Sequence, residues 1–482
     1  MPEIDYNKLG LKCGLEIHQQ LDTRKLFCNC PSVLRKDEPD FEIKRKLHAV
    51  AGESGSVDIA AAYQVSLGKE FVYQGYETTC LVELDEEPPH EINQEAVRIA
   101  LHISLLMNCR IVPLTQIMRK TVLDGSNTSG FQRSVLIARD GFIETASGRV
   151  GISYVYLEED AARKVSDEEG KNIYKLDRLG IPLVEIVTSP DIKTPEQAKE
   201  VALYIGEILR ACKVRRGIGT IRQDINVSIK GHPRAEIKGF QDPKIFIKVV
   251  EKEVERQFKD LQDKKKNLVP EVRGSNLDAT TKYLRPLPGA ARMYPETDLP
   301  LMKISLKMIN EAKKTLPKLK KDLEKELEGR GLSKEMIKLL LKYNKINEFK
   351  EMLHIINNPN LIAKILLIFP KEIASHEKIS LKEVEKILNK DALGNVLENL
   401  KKGKISESNI KHILEKIVKG KSHKEVLEIK KEDTTLVEEK IMKIIKEKPR
   451  LSINAYMGLV MKEFKGKISG KEASEIIRKY LK

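Results

Sequence analysis

An α+β fold is predicted, a mixed N-terminal half followed by all-helical C-terminal domains, and three observations predict it. Leu11, Cys13, Leu15 and Ile17 alternate with Lys12, Gly14, Glu16 and His18, the period-2 pattern of a half-buried strand. Short apolar segments of this kind recur through the first half, separated by Gly, Pro and Asn turns. Beyond about residue 303 the apolar residues instead return every three to four positions, the spacing of one helix face.

Taken in order, the first strand is followed by strands expected at 150–156, 183–187, 225–229 and 235–238. A helix is expected over 193–211, with Thr194 as N-cap and Pro195 at the first helical position. The stretch 259–282 is polar, with Lys264-Lys265-Lys266 and Gly274-Ser275-Asn276, and reads as an exposed loop or a trimmed insertion. Arg285-Pro286-Leu287-Pro288-Gly289 closes this half. Helical stripes follow at Ile410, Ile413, Leu414, Ile417 and Val418, ended by Gly420. Further stripes run at Val437, Ile441, Ile444 and Ile445, and at Ala473, Ile476, Ile477, Tyr480 and Leu481. Three domains are expected: 1–302, a helical domain 303–400, and a helical tail 401–482, with the last break placed at Lys401-Lys402-Gly403-Lys404.

Composition agrees with that division. A chain of 482 residues is long enough for about three domains of roughly 150 residues, and 41% hydrophobic residues suffice for a sizeable core. No run approaches the ~18 apolar residues of a membrane span, and the opening Met1-Pro2-Glu3-Ile4-Asp5 has no basic or apolar signal region. Six cysteines over this length do not suggest a disulfide scaffold. A cytoplasmic protein without a membrane partner is expected. The formal charge is +15, but residues 1–300 hold 44 Lys+Arg against 45 Asp+Glu, while 301–482 hold 42 against 26. All the excess positive charge therefore lies in the helical half, which suits phosphate contacts to a polyanion.

The chemistry-bearing residues lie mainly in the first half. Glu16 and His18 are two apart on one strand and project from the same face. Leu157-Glu158-Glu159-Asp160 ends another strand with three consecutive carboxylates. Glu185 sits inside the apolar run Ile181-Pro182-Leu183-Val184-Glu185-Ile186-Val187, where an unpaired carboxylate is costly. Carboxylates and one imidazole from separate strands suit Mg²⁺, an oxygen-seeking ion that bridges to phosphates. No phosphate-binding glycine loop accompanies them: Gly420-Lys421-Ser422 has Glu415 where the first glycine of a P-loop belongs. The run 124–133, with Asp124, Ser126, Asn127, Thr128, Ser129 and Gly130, is either an ordinary polar surface loop or one able to close over a phosphate or acyl group. Cys28 and Cys30 with Cys80 make an incomplete zinc set, so free thiols are the default. No Gly-x-Ser-x-Gly elbow or amidase-like Ser/Lys run is present, so any ammonia must come from elsewhere.

Several of these segments resemble one family. Gly14-Leu15-Glu16-Ile17-His18-Gln19-Gln20-Leu21, then Lys25-Leu26-Phe27-Cys28, is similar to the opening of the glutamyl-tRNA amidotransferase B/E family. Leu157-Glu158-Glu159-Asp160-Ala161-Ala162-Arg163 and Asp177-Arg178-Leu179-Gly180-Ile181-Pro182-Leu183-Val184-Glu185 resemble its central motifs. Arg222-Gln223-Asp224-Ile225-Asn226-Val227-Ser228, Glu236-Ile237-Lys238-Gly239 and the tail segment Ala455-Tyr456-Met457-Gly458-Leu459 continue the match in order. His18-Gln19-Gln20-Leu21 and the run from Arg285 through Met293-Tyr294-Pro295-Glu296-Thr297-Asp298 resemble the archaeal E branch, with the B branch as the close alternative. Members of the E branch carry an extra domain, related to one in bacterial aspartyl-tRNA synthetases, where this chain has only 259–282. The family's zinc-binding members have a cysteine pair where this chain has Glu77 and Cys80, which lowers the case for zinc.

The resemblance implies a cradle-shaped catalytic domain related to glutamine synthetase, then helical domains ending in a YqeY-like, tRNA-binding tail. It implies ATP- and Mg²⁺-dependent phosphorylation of the glutamyl carboxylate on misacylated Glu-tRNA(Gln), followed by displacement of phosphate by ammonia. Carried over by position, Glu16, His18, Glu159 and Glu185 would hold Mg²⁺ and carry catalysis. Asp124, Ser126, Asn127, Asp224 and Lys238 would lie near ATP or the aminoacyl end. An asparaginase-like glutaminase (GatD) would supply ammonia within a heterodimer or heterotetramer, and RNA rather than DNA would be the nucleic-acid partner. A B-type protein acting also on Asp-tRNA, or a non-catalytic tRNA scaffold, are the competing readings.

Overall fold

The alternation that opens the chain folds as a strand near the middle of a large sheet, in a computed structural model. The structure describes residues 5–481 apart from 49–54, 56, 58–61, 63–64, 67, 169, 240–244, 288–292, 344, 422–433, 450 and 465–469. The sheet's main path has ten strands: β1 (Lys12–Gln20), β2 (Ile117–Thr121), β3 (Phe131–Thr145), β4 (Gly148–Glu159), β5 (Pro182–Thr188), β6 (Ile221–Ser228), β7 (Ala235–Lys238), β8 (Glu271–Ser275), β9 (Thr281–Pro286) and β10 (Met293–Pro295). Their order across the sheet is β9-β8-β7-β6-β1-β5-β4-β3-β2-β10, antiparallel throughout except between β7 and β8.

One face of this sheet is covered by helices. α1 (Gln94–Leu106), α2 (Pro195–Ala211) and α3 (Phe246–Gln262) bury Ile99, Ile103, Val201, Ile205, Ile208, Val250 and Val254 against Cys13, Leu15 and Ile17 of β1, Val155 and Leu157 of β4, Val184 and Ile186 of β5 and Ile225 of β6. α2 begins as its sequence predicts, Thr194 accepting from the Gln197 N–H with Pro195 at the first position. Because side chains alternate along a strand, burying the odd-numbered residues of β1 turns Gly14, Glu16 and His18 to the other face. The same parity rule acts on β4, where Leu157 lies in the core and Glu158 does not.

A smaller sheet of Phe41–Arg45, Glu70–Gly75, Lys171–Lys175 and Arg163–Glu168 encloses Phe71, Tyr73, Tyr174 and Leu176. The stretch 259–282 is not an exposed loop throughout: it holds the last turn of α3, all of β8 and the start of β9, with Val272 buried. Its polar composition reflects a place at the sheet edge, where most side chains meet water.

The chain divides into two units, Met1–Leu319 and Lys320–Lys482. The first is mixed; among the described residues the second is helical, running from the Lys320–Gly329 helix to the Gly470–Tyr480 helix. Helix α4 (Leu306–Lys314) belongs to the first unit and buries Ala312 in its core. Within the second unit, one core takes in Leu340, Phe349, Leu366, Leu397, Ile410, Ile413, Leu414 and Ile417, so apolar packing crosses residue 400. A separate core holds Val437, Ile441, Tyr456, Val460 and Ile477, while Tyr480 and Leu481 are exposed. No helix among the described residues is long and apolar enough to cross a membrane.

Candidate active site

The open face of the central strands carries a cavity of about 600 Å³ lined chiefly by charge. Register builds it. His18 on β1 stands opposite Glu185 on β5, and Glu16 stands opposite Asp224 on β6. β4 brings Glu158 opposite Leu183, two residues before Glu185, and β7 adds Glu236 and Lys238 beyond β6. Lys120 of β2 reaches in from the far side, and Arg222, Arg234 and Arg285 complete a basic wall.

Distances show which groups can act together. His18 Nε2 lies 3.5 Å from a Glu16 oxygen and 3.7 Å from a Glu185 oxygen, and one ligand atom from each of the three residues falls within 4.8 Å of the others. Two ligands of one Mg²⁺ are at most ~4.2 Å apart, twice a bond of ~2.1 Å, so small side-chain adjustments suffice for a shared ion. Glu16 belongs equally to a second group, with Asp224 and Glu236. Lys120 Nζ sits 2.5 Å from Glu158 and 3.3 Å from Glu185, while Lys238 Nζ is 2.5 Å from Asp224 and also bridges to Glu236.

Crowding splits the titration of these carboxyls. Burial, then the neighbouring Glu185, pushes Glu16 up to about 7, with His18 and Lys238 opposing. Glu158 is raised by burial and by Glu185. Glu185 stays below the usual carboxylate range although burial acts against it, because Lys120 and His18 favour its charge. Burial alone would lower His18, yet its contacts with Glu185 and Glu16 hold it up. Pairs of acids pushed apart in this way are common where proton or phosphoryl chemistry occurs.

Of the four residues expected to share an ion, three come together and one does not. Glu159 faces the opposite side of the sheet, in parity with Val155 and Leu157, where it accepts from the Arg133 backbone N–H at 3.1 Å and pairs with the Arg133 guanidinium at 3.5 Å. Glu158 takes the place at the cavity. Asp224 and Lys238 lie there too, but Asp124, Ser126 and Asn127 are not among the residues lining it. The 124–130 loop spends its polar groups on its own support: Asp124 Oδ1 accepts from Ser126 N and Oγ, the Asp124 carbonyl accepts from Tyr174, and the Asn127 carbonyl from Tyr73. Lys120 and Arg234 carry no signal in the sequence, and Glu158, Glu236 and Arg285 stand there only within motifs, with no role attached; parity with core residues is the one usable signal, and only for Glu158 and Glu236.

Asp160, at the end of β4, is buried and fixes one part of the wall. It accepts from Gln20 at 2.6 Å and from Arg222 Nη2 at 2.8 Å, which orients the Arg222 guanidinium beside the cavity. A second cluster lies on other residues. Cys28, Cys30 and Cys80 gain a fourth donor in Glu83, all four within 4.8 Å of one another, so the thiols are not the incomplete set expected. The turn after Cys80 explains this, since Glu83 Oε2 accepts from the Cys80 N–H. Hydrogen bonds from Cys28 and Cys30 lower the Cys80 pKa, and buried Lys25 bridges to Glu83. The donor number suits a tetrahedral structural ion that would pin the 26–30 turn to the 79–84 turn.

Comparison with known proteins adds to this geometry. The family model described as the GatB/GatE catalytic domain matches residues 11–310, and one described as a GatB domain matches 347–481. The E subunit of a glutamyl-tRNA(Gln) amidotransferase from Methanocaldococcus jannaschii is 39% identical over 632 residues, with the whole of both chains covered. Its namesake from Archaeoglobus fulgidus is 35% identical over 621 residues, covering 99% of each chain. A Methanococcus maripaludis C5 protein of the same name is 55% identical over 257 residues, 53% of this chain and 41% of its own. The first alignment spans 632 positions against 482 residues here, so 150 of its positions face no residue of this chain. That difference is the size of a small domain.

Proposed function

The chain belongs to the GatB/GatE family, and from that premise we propose that it is the tRNA-binding, ATP-using component that converts glutamate attached to tRNA(Gln) into glutamine. The observation that carries this reading is one cavity in which Glu16, His18 and Glu185 converge and which five basic side chains also line. On this reading the open sheet face is the glutamine-synthetase-like cradle. Glu16, His18 and Glu185 would hold Mg²⁺, which when bound neutralises nucleotide phosphates. Lys120, Arg222, Arg234, Arg285 and Lys238 supply positive charge to the phosphoryl oxygens as the glutamyl carboxylate attacks the γ-phosphorus of ATP. ADP leaves and a glutamyl phosphate remains. Ammonia then adds to the acyl carbon, the C–O bond to phosphate breaks, and nitrogen gives up a proton. Glu158, whose pKa burial raises, is suited to accept that proton.

The ammonia is proposed to come from an asparaginase-like partner protein, and the +16 excess of the helical half (42 basic against 26 acidic residues) to grip the tRNA backbone. The direct test incubates the chain with labelled ATP, Mg²⁺ and Glu-tRNA(Gln), with and without that partner. ADP and glutaminyl-tRNA are expected only with Glu-tRNA(Gln). Equal turnover of Asp-tRNA(Asn) would point to the B-type substrate range, and no ADP under any condition to a scaffold.

The raised pKa of Glu16 makes a second expectation. Between its ordinary value of 4.5 and about 7 the folded protein holds a proton that the unfolded chain has lost. The metal-free fold is therefore favoured at low pH by this group and loses that contribution as pH rises through 7. A divalent ion binds the ionised carboxylate, so below pH 7 it must displace the proton. At pH 6 this costs about tenfold in affinity, roughly 1.4 kcal/mol. Thermal melts with Mn²⁺ are expected to show a larger ion-induced rise in Tm at pH 8 than at pH 6; an equal rise would remove Glu16 from the ligand set.

A further inference from the structure

Beside the charged cavity the open face of the sheet turns aromatic. On β4 the core takes Val155 and Leu157, so Tyr154 and Tyr156 share the open face with Glu158. At ~3.4 Å per residue, Glu158, Tyr156 and Tyr154 stand at steps of roughly 7 Å along one line. That line starts beside Lys120, which bonds to Glu158. Register also sets both rings against the strands of the acidic group. Tyr156 is the cross-strand partner of Glu185, and Tyr154 that of Val187, which on its other side pairs with Glu16. The two rings lie side by side, with centroids 5.8 Å apart and planes at 39°. Leu136, opposite Tyr156 on β3, and Val187 border them, and neither belongs to the core on the sheet's other face.

A sheet face left open to water is ordinarily polar. Here it carries two tyrosines and two aliphatic side chains, with Tyr154 42% exposed and Tyr156 half-buried. We propose that Tyr154 and Tyr156 are a stacking platform for an adenine ring whose own phosphates, or the acyl group carried on its ribose, reach the charged cavity. The inference rests on the ATP and tRNA reading above, because both of those substrates present adenine. ATP carries it directly, and tRNA carries it as the 3′-terminal adenosine that bears the glutamyl group. Every base has a π-face, so two rings hold the adenine without reading its edge. The base itself is uncharged, which suits tyrosines and leaves the basic side chains of the cavity to the phosphates. The rings bind the base and touch no reacting atom.

The chain has no Trp, so Tyr154→Trp installs a single tryptophan whose fluorescence a stacked base quenches. The full chain is titrated in two arms. One compares MgATP with magnesium tripolyphosphate, which has the phosphates and no base. The other compares tRNA(Gln) with the same tRNA lacking its 3′-terminal adenosine. Quenching is expected in at least one arm, and there only by the ligand that carries adenine, which identifies the source. In amidation assays, Tyr154→Ser combined with Tyr156→Leu should raise KM for that same substrate about tenfold, ~1.4 kcal/mol, with kcat little changed. Returning the rings as Phe at both positions should restore KM, and thermal melts give the folded fraction of each variant. No quenching in either arm, while equilibrium dialysis shows MgATP and tRNA bound, would overturn the platform and leave the proposed function standing. Equal quenching with and without the base, or an unchanged KM once both rings are gone, would do the same. Absence of bound ATP, bound tRNA and turnover in the wild type would overturn that function and the platform together.

Discussion

Glu185→Gln is expected to cut amide formation on Glu-tRNA(Gln) by on the order of 10³-fold, about the loss seen when a group that stabilises transition-state charge is removed. Glu185 contributes to the three-residue group with Glu16 and His18, and it is the carboxylate that Lys120 and His18 keep ionised despite burial. The amide is nearly the same size, so the strand and its neighbours should remain in place. tRNA affinity should change little, because the basic excess lies in the helical half. The informative companion is the pair at the end of β4. Glu158→Gln should impair turnover, since it faces the cavity and holds Lys120 at 2.5 Å. Glu159→Gln should leave turnover per folded molecule largely unchanged, because that side chain lies on the other face with Arg133. Equal loss of turnover in both, or full activity in Glu185→Gln, would mean that the cavity is not where the chemistry happens.

The placing of Glu158 at the cavity and Glu159 on the other face shows what was legible in the sequence and what was not. β1 was readable because its apolar and polar residues alternate without interruption, which also placed Glu16 and His18 on one face. Glu185 was readable as an acid inside an apolar run. The same alternation extended from Val155 and Leu157 would have assigned Glu159 to the core side; three consecutive acids obscured it. Lys120 offered no local signal. It lies in Met118-Arg119-Lys120-Thr121 like any surface cation, and only the pairing of β2 across β3 to β4 brings it to Glu158. The 124–130 loop has a composition that serves equally to cradle a ligand or to satisfy itself, and it satisfies itself on the smaller sheet. Glu83 was missed because its role depends on a turn geometry that no spacing rule encodes.

The sheet's two faces also separate chemistry from support. Every residue proposed to take part in the chemistry lines the cavity, while the pair of Glu159 with Arg133 lies on the other face. Asp160 is buried and bonded to Arg222, so it ties the interior to a cavity cation. A substitution there should disturb both the fold and the position of a cavity cation, so it is a poor probe of either alone.

Glu296→Ala is expected to destabilise the first unit by about 3–5 kcal/mol, the usual result of removing one partner from a buried ion pair. The Glu296 side chain is fully buried. It accepts from Arg119 Nη2 at 2.5 Å, from Arg133 Nε at 2.8 Å and from the Asp298 backbone N–H at 2.9 Å. Arg133 is itself buried and its other carboxylate partner, Glu159, is 3.5 Å away, so without Glu296 much of one guanidinium's charge is left uncompensated in the interior. Both guanidinium groups also pack on the Phe131 ring, at 4.5 and 5.1 Å from its centroid, so neither can swing to water without losing that contact. The network ties β10, which Pro295 ends, to β2 and β3, and so closes the sheet edge beside Lys120. Urea denaturation should show the loss as a lower midpoint with unchanged slope. Glu296→Gln, which keeps an acceptor oxygen, should lose less. A midpoint shift of Glu296→Ala worth under about 1 kcal/mol would show that water or Glu159 compensates the arginines, and that the edge is held by its backbone ladder alone.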